Sequence, residues 1–313
     1  MSTDRSGTYD VIIAAFNSEA YIREAIESVL QSSCRPSRII VIDDASTDRT
    51  VEIASAFDNV EVLRNEKNQE RSITRNRGIQ ASSADYIQFL DADDLLHPEK
   101  TAIQVNFLDE NPHVDVAVGD VWLFQDGHWP GEKREYSEEM DFLHQLISKN
   151  IFALHSLLFR KTFFTRFGKF DPDLPISEDR ELYIRSIVNG AKWAYTPGSE
   201  VYYRQHQSGT IRSRQYESAY YNAAPIRKHR RELAEFAGGK YRQHTADSLR
   251  TLARNANMVC RPMSEVRNLI GESREISEKA RLDQNRLYQL MENLMGAVLF
   301  ERLLRIRFWF NRS

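Results

Sequence analysis

Short apolar runs alternate with stretches of helical periodicity through the first ninety residues of the chain. Four runs rich in Ile and Val each have the length of one buried strand: DVIIAAF (10–16), RIIVI (38–42), VEVL (60–63) and YIQFL (86–90). Between them, apolar side chains recur at helical spacing over residues 18–31, 46–57 and 72–82. Strands that alternate with helices of this length form βαβ units, so the pattern predicts an α/β fold with a mostly parallel central sheet flanked by helices. A helical bundle is a poor alternative, because the apolar runs are short and β-branched.

The pattern becomes less regular after residue 98. The predicted elements are a helix over 97–112 that ends at Pro112, a strand over 114–124, a polar loop over 127–140 and a helix over 176–190 that ends at Gly190. From about residue 215 onward the chain is helical and basic. In the first part of the chain, Ser46 is the predicted N-cap of the helix that ends at Phe57.

The composition is that of a folded protein in a reducing compartment. Hydrophobic residues make up 41% and aromatic residues 11% of the 313 residues, which is enough for a packed core. Two cysteines, Cys34 and Cys260, argue against a disulfide framework and against a cysteine-based zinc site. No run approaches the roughly 20 apolar residues of a membrane span, and MSTDRSGTYD lacks the apolar region of a signal peptide. We therefore expect a cytoplasmic protein.

Charge divides the chain into two regions. Residues 211–313 contain 20 Lys and Arg against 11 Asp and Glu, a net charge of +9. The net charge of the whole chain is −3, so residues 1–210 have a net charge of −12. Nucleic-acid binding is disfavoured, because the first region is acidic and no recognition motif occurs. The segment LMGAVLFERLLRIRFWFNRS (294–313) interleaves apolar residues at near-helical spacing with arginines. Such a helix can lie at an anionic membrane surface, pack on the rest of the chain, or form a dimer contact, and all three interpretations stay open.

Acidic residues follow two of the predicted strands at the point where each strand ends. Asp43 and Asp44 come after RIIVI, and Asp91 and Asp93 come after YIQFL. Ligands bind at the carboxyl ends of the strands in an open parallel sheet. The Asp-Ala-Asp spacing lets both carboxylates serve one hard divalent cation that keeps coordination positions open for a diphosphate. Turn formation and helix capping are the alternative explanation for these residues.

Six segments together resemble the family 2 glycosyltransferases over residues 10–210. They are VIIAAFNSEAYIREAIESVLQSS, IIVIDDASTDRT, RNRGI (75–79), YIQFLDADD, SEDRELYIR and YYRQHQSGT. The resemblance implies a GT-A (Rossmann-like) catalytic domain over 1–210, with 211–313 as a helical C-terminal extension. It also implies an inverting enzyme that uses a nucleotide sugar, most often a UDP-sugar.

The resemblance assigns five positions to the nucleotide sugar. Asp44 matches the aspartate that hydrogen-bonds the base, and Phe16 and Asn17 form the aromatic-Asn turn beside it. Arg75 is implied to contact the nucleotide or its phosphates, and Asp91 the sugar nucleotide. The alternative for Arg75 is a solvated helix charge.

Metal and catalytic roles follow from the same resemblance. Asp93 matches the direct ligand of a divalent Mn or Mg ion, with Asp91 and His206 as further ligands. Asp179 matches the catalytic base, with Glu178 beside it. The alternatives are a surface role for His206, and first-turn carboxylates favoured by a helix dipole for Glu178 and Asp179. Asp94 has the weakest assignment, and a turn-capping role is expected for it.

The chain departs from the family at Ala14 and Ala15, which replace small polar residues before the turn, so backbone groups would have to contact the base there. The motif Gln-x-x-Arg-Trp of processive synthases is absent. The implied acceptor is a hydroxyl of a glycan or lipid-linked glycan, commonly in bacterial surface-polysaccharide or lipopolysaccharide synthesis.

Three other functions are alternatives. An Asp-dependent phosphatase would need its Asp-x-Asp after the first strand, and a nucleotidyltransferase would need a Gly-rich basic loop in place of AAFNSEAYI. A non-catalytic nucleotide-sugar-binding module would not need the base-binding, metal-binding and general-base candidates to be present together. These alternatives stay open at the level of sequence.

Overall fold

The computed structural model describes residues 7–126, 128–134, 136–137, 139–148, 152–174, 176–206, 222–258, 261–277, 297–299 and 301–302. The chain divides into two compact units. The first contains 1–142 and 151–207, and the second contains 143–150 and 208–313. The roles predicted for regions 1–210 and 211–313 stay predictions.

In the part of the chain that the structure describes, the first unit is a sheet of nine strands with helices between them. Its elements are β1 (Tyr9–Ala15), α1 (Ile22–Leu30), β2 (Arg38–Asp43), α2 (Thr50–Ser55), β3 (Val60–Arg64), α3 (Glu70–Ala81), β4 (Tyr86–Asp91), β5 (Leu95–Leu96), α4 (Lys100–Glu110), β6 (Val116–Gln125) and β7 (His128–Arg134). After α5 (Phe142–Ser148), most of which belongs to the second unit, come a 3-10 turn (Leu154–Ser156), β8 (Leu157–Arg160), α6 (Lys161–Phe167), α7 (Glu178–Val188) and β9 (Trp193–Arg204). The predicted α/β fold is confirmed.

The sheet is parallel in its first half and mixed in its second. The strand order is β3-β2-β1-β4-β8-β6-β9-β5, with β7 paired to β6. The pairs among β1, β2, β3 and β4 are parallel, as the βαβ pattern predicts, and β6 also runs parallel to β9. β8 pairs antiparallel with β4 and β6, as do β5 with β9 and β7 with β6.

The register of β1 brings the acidic strand ends together. Ala15 pairs with Asp43 on β2, and Ala14 pairs with Asp91 on β4. Both acidic segments therefore flank the end of β1, where the small residues Ala14 and Ala15 stand. The apolar faces of β1, β2, β4 and β6 pack with α1 and α4 into one core, which fixes this edge of the sheet.

Two local predictions are wrong. The stretch 127–140 was expected to be a loop, but residues 128–134 form β7 against β6. Glycine permits the close approach, because a Cβ at Gly131 would collide with the Leu123 carbonyl oxygen. Ser46 caps no helix, since α2 begins at Thr50 and the Ser46 hydroxyl accepts a hydrogen bond from the Asn17 N–H at 2.9 Å.

The second unit is helical in the part that the structure describes. Besides α5, residues 222–228 are helical, followed by α8 (Arg230–Gly239), α9 (Arg242–Met258) and α10 (Met263–Ile276). Buried apolar side chains of α9 and α10 form its core: Leu249, Leu252, Ala253, Ala256, Val266, Leu269 and Ile270.

The predicted amphipathic segment 294–313 is described at 297–299 and 301–302. Ala297 packs into the core of the second unit, and buried Glu301 pairs with Arg250 of α9 at 3.1 Å. Leu299 is exposed. Residues 303–313, with most of the apolar stripe, lie outside the described residues, so membrane and dimer contact stay predictions. No described helix is long and apolar enough to cross a membrane.

Candidate functional site

A cavity of about 440 Å³ lies at the carboxyl ends of β1, β2, β4 and β9. Seven of the nine residues predicted for the site line it: Phe16, Asn17, Asp44, Arg75, Asp91, Asp93 and His206. The other two, Glu178 and Asp179, are not among its lining residues; they begin α7, where Glu178 accepts a hydrogen bond from the cavity residue Arg75. The predicted residues are therefore brought to one place by the fold.

One end of the cavity is formed by the turn after β1 and by Asp44. Asn17 adopts a left-handed backbone (φ 48°), and its side-chain oxygen accepts a hydrogen bond from the Thr47 N–H at 2.9 Å. Phe16 is about half exposed at the rim. Asp44 is 5% exposed and accepts hydrogen bonds from the Asn65 side chain at 2.7 Å and the Gln69 N–H at 2.9 Å. Asp44 therefore presents a rigidly held carboxylate to the cavity.

Arg75 links the acidic loop after β4 to the start of α7. Its Nη1 donates to Glu178 Oε1 at 2.6 Å, and its Nη2 donates to Asp91 Oδ1 at 2.7 Å. Its guanidinium also lies 5.6 Å from the centre of the Phe170 ring. Burial alone would lower the pKa of Arg75, but Asp91 and Glu178 outweigh it and hold the pKa above its usual value. The interpretation of Arg75 as a solvated helix charge is wrong, because the residue is 5% exposed.

Asp179 is the half-buried carboxylate of the first turn of α7. Ser177, just before the helix, has a left-handed backbone (φ 65°) and makes no side-chain cap bond. Burial raises the pKa of Asp179 to about 6, the neighbouring Glu178 adds to the rise, and Arg75 opposes it. The Arg180 N–H donates to Asp179 Oδ1 at 2.7 Å. A carboxylate with such a pKa can accept a proton near neutral pH.

The three aspartates after β4 have different surroundings. Asp91 is bound to Arg75; burial raises its pKa, but the attraction of Arg75 prevails and holds the pKa below its usual value. Asp93 is 40% exposed at its side chain, and its Oδ2 lies 2.8 Å from His206 Nε2. Asp94 is buried and accepts the Arg204 N–H at 2.7 Å. Burial, with Asp91 and Asp93 nearby, raises the pKa of Asp94 to about 9. Asp94 thus fastens the loop to β9.

Two groups of side chains have the chemistry of a metal site. Asp91, Asp94 and His155 place ligand atoms within 4.8 Å of one another. In that group Asp91 is already bound to Arg75, and His155 is 1% exposed with its pKa lowered to about 4 by burial. Asp93 and His206 instead face the cavity with more than a third of each side chain exposed. The Asp93 carboxylate and the His206 imidazole, 2.8 Å apart, offer one oxygen and one nitrogen ligand to a divalent cation such as Mn²⁺ that also binds an anion in the cavity.

Sequence reasoning missed several cavity residues. Arg71, Tyr203 and Arg204 line the cavity beside the predicted set, and the rings of Tyr21 and His206 lie 5.2 Å apart. Arg204 stands in the quoted motif YYRQHQSGT, which is the one signal that could have found it. His155 has no local signal, because it reaches Asp94 through the antiparallel pairing of β8 with β4.

Comparisons with known proteins find one matching family model and several similar chains. The model of the family "Glycosyl transferase family 2" matches residues 10–171. An uncharacterised glycosyltransferase of Methanocaldococcus jannaschii is 24% identical over 242 residues, which is 74% of this chain and 82% of that protein. An uncharacterised glycosyltransferase of Rickettsia typhi is 30% identical over 188 residues, covering 56% of this chain and 58% of its own length. The chain therefore spans less than two thirds of the second relative.

Solved structures share the fold. Residues 1–349 of S. aureus TarS in complex with UDP align at a TM-score of 0.62 and 19% identity, over 96% of this chain and 89% of that one. The same TarS segment in complex with UDP-GlcNAc aligns at a TM-score of 0.58 and 18% identity, over 87% and 90% of the two chains. The predicted GT-A architecture with a helical C-terminal extension is confirmed.

Proposed function

The chain belongs to glycosyl transferase family 2, and on that premise we propose that it is an inverting enzyme that moves a sugar from a UDP-sugar to a hydroxyl acceptor. One observation carries the proposal. A single cavity holds the buried Asp44 carboxylate and the exposed Asp93–His206 pair, and Arg75 in its wall bonds to Glu178, the neighbour of the candidate base Asp179. The UDP and UDP-GlcNAc complexes of TarS support UDP as the nucleotide.

The donor lies with its base toward Asp44 and Phe16. The Asp44 carboxylate accepts a hydrogen bond from a base N–H, and Phe16 covers the base at the rim. Ala14 and Ala15 offer no polar side chain there, so backbone groups of the turn make the remaining contacts. Arg71 supplies positive charge on the cavity wall toward the diphosphate.

Asp93 and His206 would hold the divalent cation, with Asp91 close by. A bound Mn or Mg ion would supply positive charge to the leaving diphosphate. The family often uses such an ion, and the ligand atoms of Asp93 and His206 are open to the cavity.

Asp179 acts as the general base. It takes the proton of the acceptor hydroxyl while the oxygen bonds to the anomeric carbon and the bond to the diphosphate oxygen breaks, so UDP leaves and the configuration inverts. Glu178 is bound to Arg75 at 2.6 Å, which suits it to placing α7 rather than to taking the proton. Arg75 bonds to both Asp91 and Glu178, and so it fixes the end of β4 relative to the start of α7.

The acceptor that we propose is a glycan or lipid-linked glycan of a bacterial surface polysaccharide or lipopolysaccharide. The family's commonest setting supports this acceptor, and the absence of the processive-synthase motif speaks against a processive polymerase. Binding at the inner face of the membrane through 294–313 is part of the same proposal.

We expect release of UDP when the protein is incubated with Mn²⁺ and a panel of UDP-, GDP- and dTDP-sugars. Slow donor hydrolysis makes the assay independent of the unknown acceptor. The measurement is nucleoside diphosphate formed per enzyme, with EDTA as the control. Tight UDP binding without any UDP release from the panel would favour the non-catalytic binding module instead.

The rate of UDP release should rise with pH through about 6 and then level off. Asp179 must be ionised to act, and its pKa is raised to about 6. Burial raises this pKa most, Glu178 and Asp91 add to the rise, and Arg75 and the Arg180 N–H lower it. Rates from pH 4.5 to 8.5 at constant ionic strength test the expectation, with circular dichroism as the control for folding. A profile that is flat down to pH 4.5 would rule out a base with this pKa.

A further inference from the structure

The end of β9 and the loop after β4 are joined by one residue that none of the roles above includes. The Arg204 N–H donates to Asp94 Oδ1 at 2.7 Å, and its Nε donates to the Asp93 carbonyl oxygen at 2.8 Å. Two residues further on, His206 Nε2 lies 2.8 Å from Asp93 Oδ2. Arg204 therefore connects both members of the Asp93–His206 pair through short links.

The guanidinium of Arg204 is buried among two rings and two carboxylates. Its side chain is 4% exposed, and its centre lies 4.9 Å from the Tyr21 ring and 4.7 Å from the Phe124 ring. Nη2 pairs with Glu24 at 2.6 Å and Nη1 pairs with Asp126, two carboxylates that are themselves mostly exposed. A planar cation that lies close to two rings and is bonded at three nitrogens is held in a fixed orientation.

Tyr21 extends the same arrangement to the histidine. Its ring centre lies 4.9 Å from the guanidinium carbon of Arg204 and 5.2 Å from the centre of the His206 ring. Arg204 thus restrains the main chain of Asp93 directly and the His206 ring through Tyr21. Groups that orient ligands in this way set the affinity of a metal site.

We propose that Arg204 is a positioning residue that fixes Asp93 against His206, so that the pair can hold the cation bound to the nucleoside diphosphate. This inference rests on the proposed function. It assigns Arg204 no contact with the donor or the acceptor. Arg75 has a different role, because it bonds to Asp91 and Glu178 instead.

The experiment measures how much Mn²⁺ strengthens UDP binding, by calorimetry with Mn²⁺ and again with EDTA. Arg204→Lys keeps the charge but loses the planar fork, and we expect it to reduce the Mn²⁺-dependent gain about tenfold or more. UDP affinity in EDTA should fall much less than UDP affinity with Mn²⁺. Asp93→Ala should remove the gain, and adding Arg204→Lys to it should have no further effect, because both changes act on one pair.

Arg160→Lys is the matched control. Arg160 also binds main-chain oxygens, those of Val114 at 2.6 Å and Asn111 at 3.0 Å, and its guanidinium also lies over an aromatic ring, that of Tyr86. It lies away from the cavity, so its variant should keep the full gain. The double variant Glu24→Gln/Asp126→Asn neutralises the two exposed carboxylates that pair with Arg204 and should reduce the gain about threefold, with circular dichroism as the check that the variant folds.

The possible results distinguish a failure of the positioning role of Arg204 from a failure of the proposed glycosyltransferase function. A full Mn²⁺-dependent gain in Arg204→Lys would overturn the positioning role and leave the glycosyltransferase proposal standing. Equal losses with Mn²⁺ and with EDTA, or the same loss in Arg160→Lys, would overturn it as well. No gain in the wild-type protein would refute both the inference and the proposed cation site.

Discussion

Turnover by the Asp179→Asn variant is expected to fall about 10²- to 10⁴-fold, the range that a positioned general base contributes. An amide cannot take the proton of the acceptor hydroxyl. It has nearly the same size as the carboxylate, and Asp179 is not among the residues that line the donor cavity. UDP binding should therefore change little. The measurement pairs the rate of UDP release with the UDP affinity of the same preparation.

Asp173→Asn is the control for this variant. Asp173 lies six residues earlier in an exposed position, where its main-chain N–H donates to Asp171 Oδ1 at 3.0 Å. Removal of its charge should leave the rate unchanged. Near-normal turnover in Asp179→Asn would show that another group removes the proton.

Replacement of Arg75 by methionine is expected to lower the free energy of unfolding by about 3–5 kcal/mol, the cost of leaving a buried charge unpaired. Glu178 is 3% exposed and loses its partner, and Asp91 loses the same cation. Urea unfolding followed by circular dichroism at pH 7 measures the change. Activity should fall as well, because Arg75 lowers the pKa of Asp179 and its removal moves the acid limb of the pH profile upward.

Two further variants distinguish this effect from a general loss of charge. Adding Glu178→Gln to Arg75→Met removes one unpaired carboxylate and should restore part of the lost stability. Arg49→Met breaks a pair with Glu52 whose side chains are 68% and 66% exposed, and it should leave the unfolding midpoint unchanged. Wild-type stability in Arg75→Met would contradict the view that its guanidinium neutralises the buried carboxylates.

The sequence was informative where local pattern and tertiary structure agree. The alternation of apolar runs and helical periodicity predicted β1 to β4 and the helices between them, because strands buried on both faces are continuously apolar. It failed at β7, whose glycine and charged residues are typical of a loop. Pairing with β6 makes that stretch a strand, and pairing is not encoded in the stretch itself.

The residues of the site also divide into those that the local pattern predicted and those that only tertiary contacts bring together. Asp44, Asp91 and Asp93 follow strands directly, so their common edge could be deduced from the alternation alone. The Arg75–Glu178 pair and the Asp94–His155 contact join residues that are far apart in sequence, and no spacing rule connects them. Ser46 shows how a local rule fails, because its hydroxyl binds Asn17, 29 residues away, rather than a helix terminus.

The contact from Arg75 to Glu178 has a consequence for the order in which the protein becomes active. It spans 103 residues, whereas the contact from Arg75 to Asp91 spans 16. Closure of a longer loop costs more conformational entropy, and contacts at long sequence separation slow folding. On the ribosome, the strand ends that carry Asp44 and Asp91 are synthesised long before α7 emerges. The carboxylate proposed to remove the acceptor proton thus joins the site at a late stage of folding, after the segment that carries the nucleotide-binding candidates has been made.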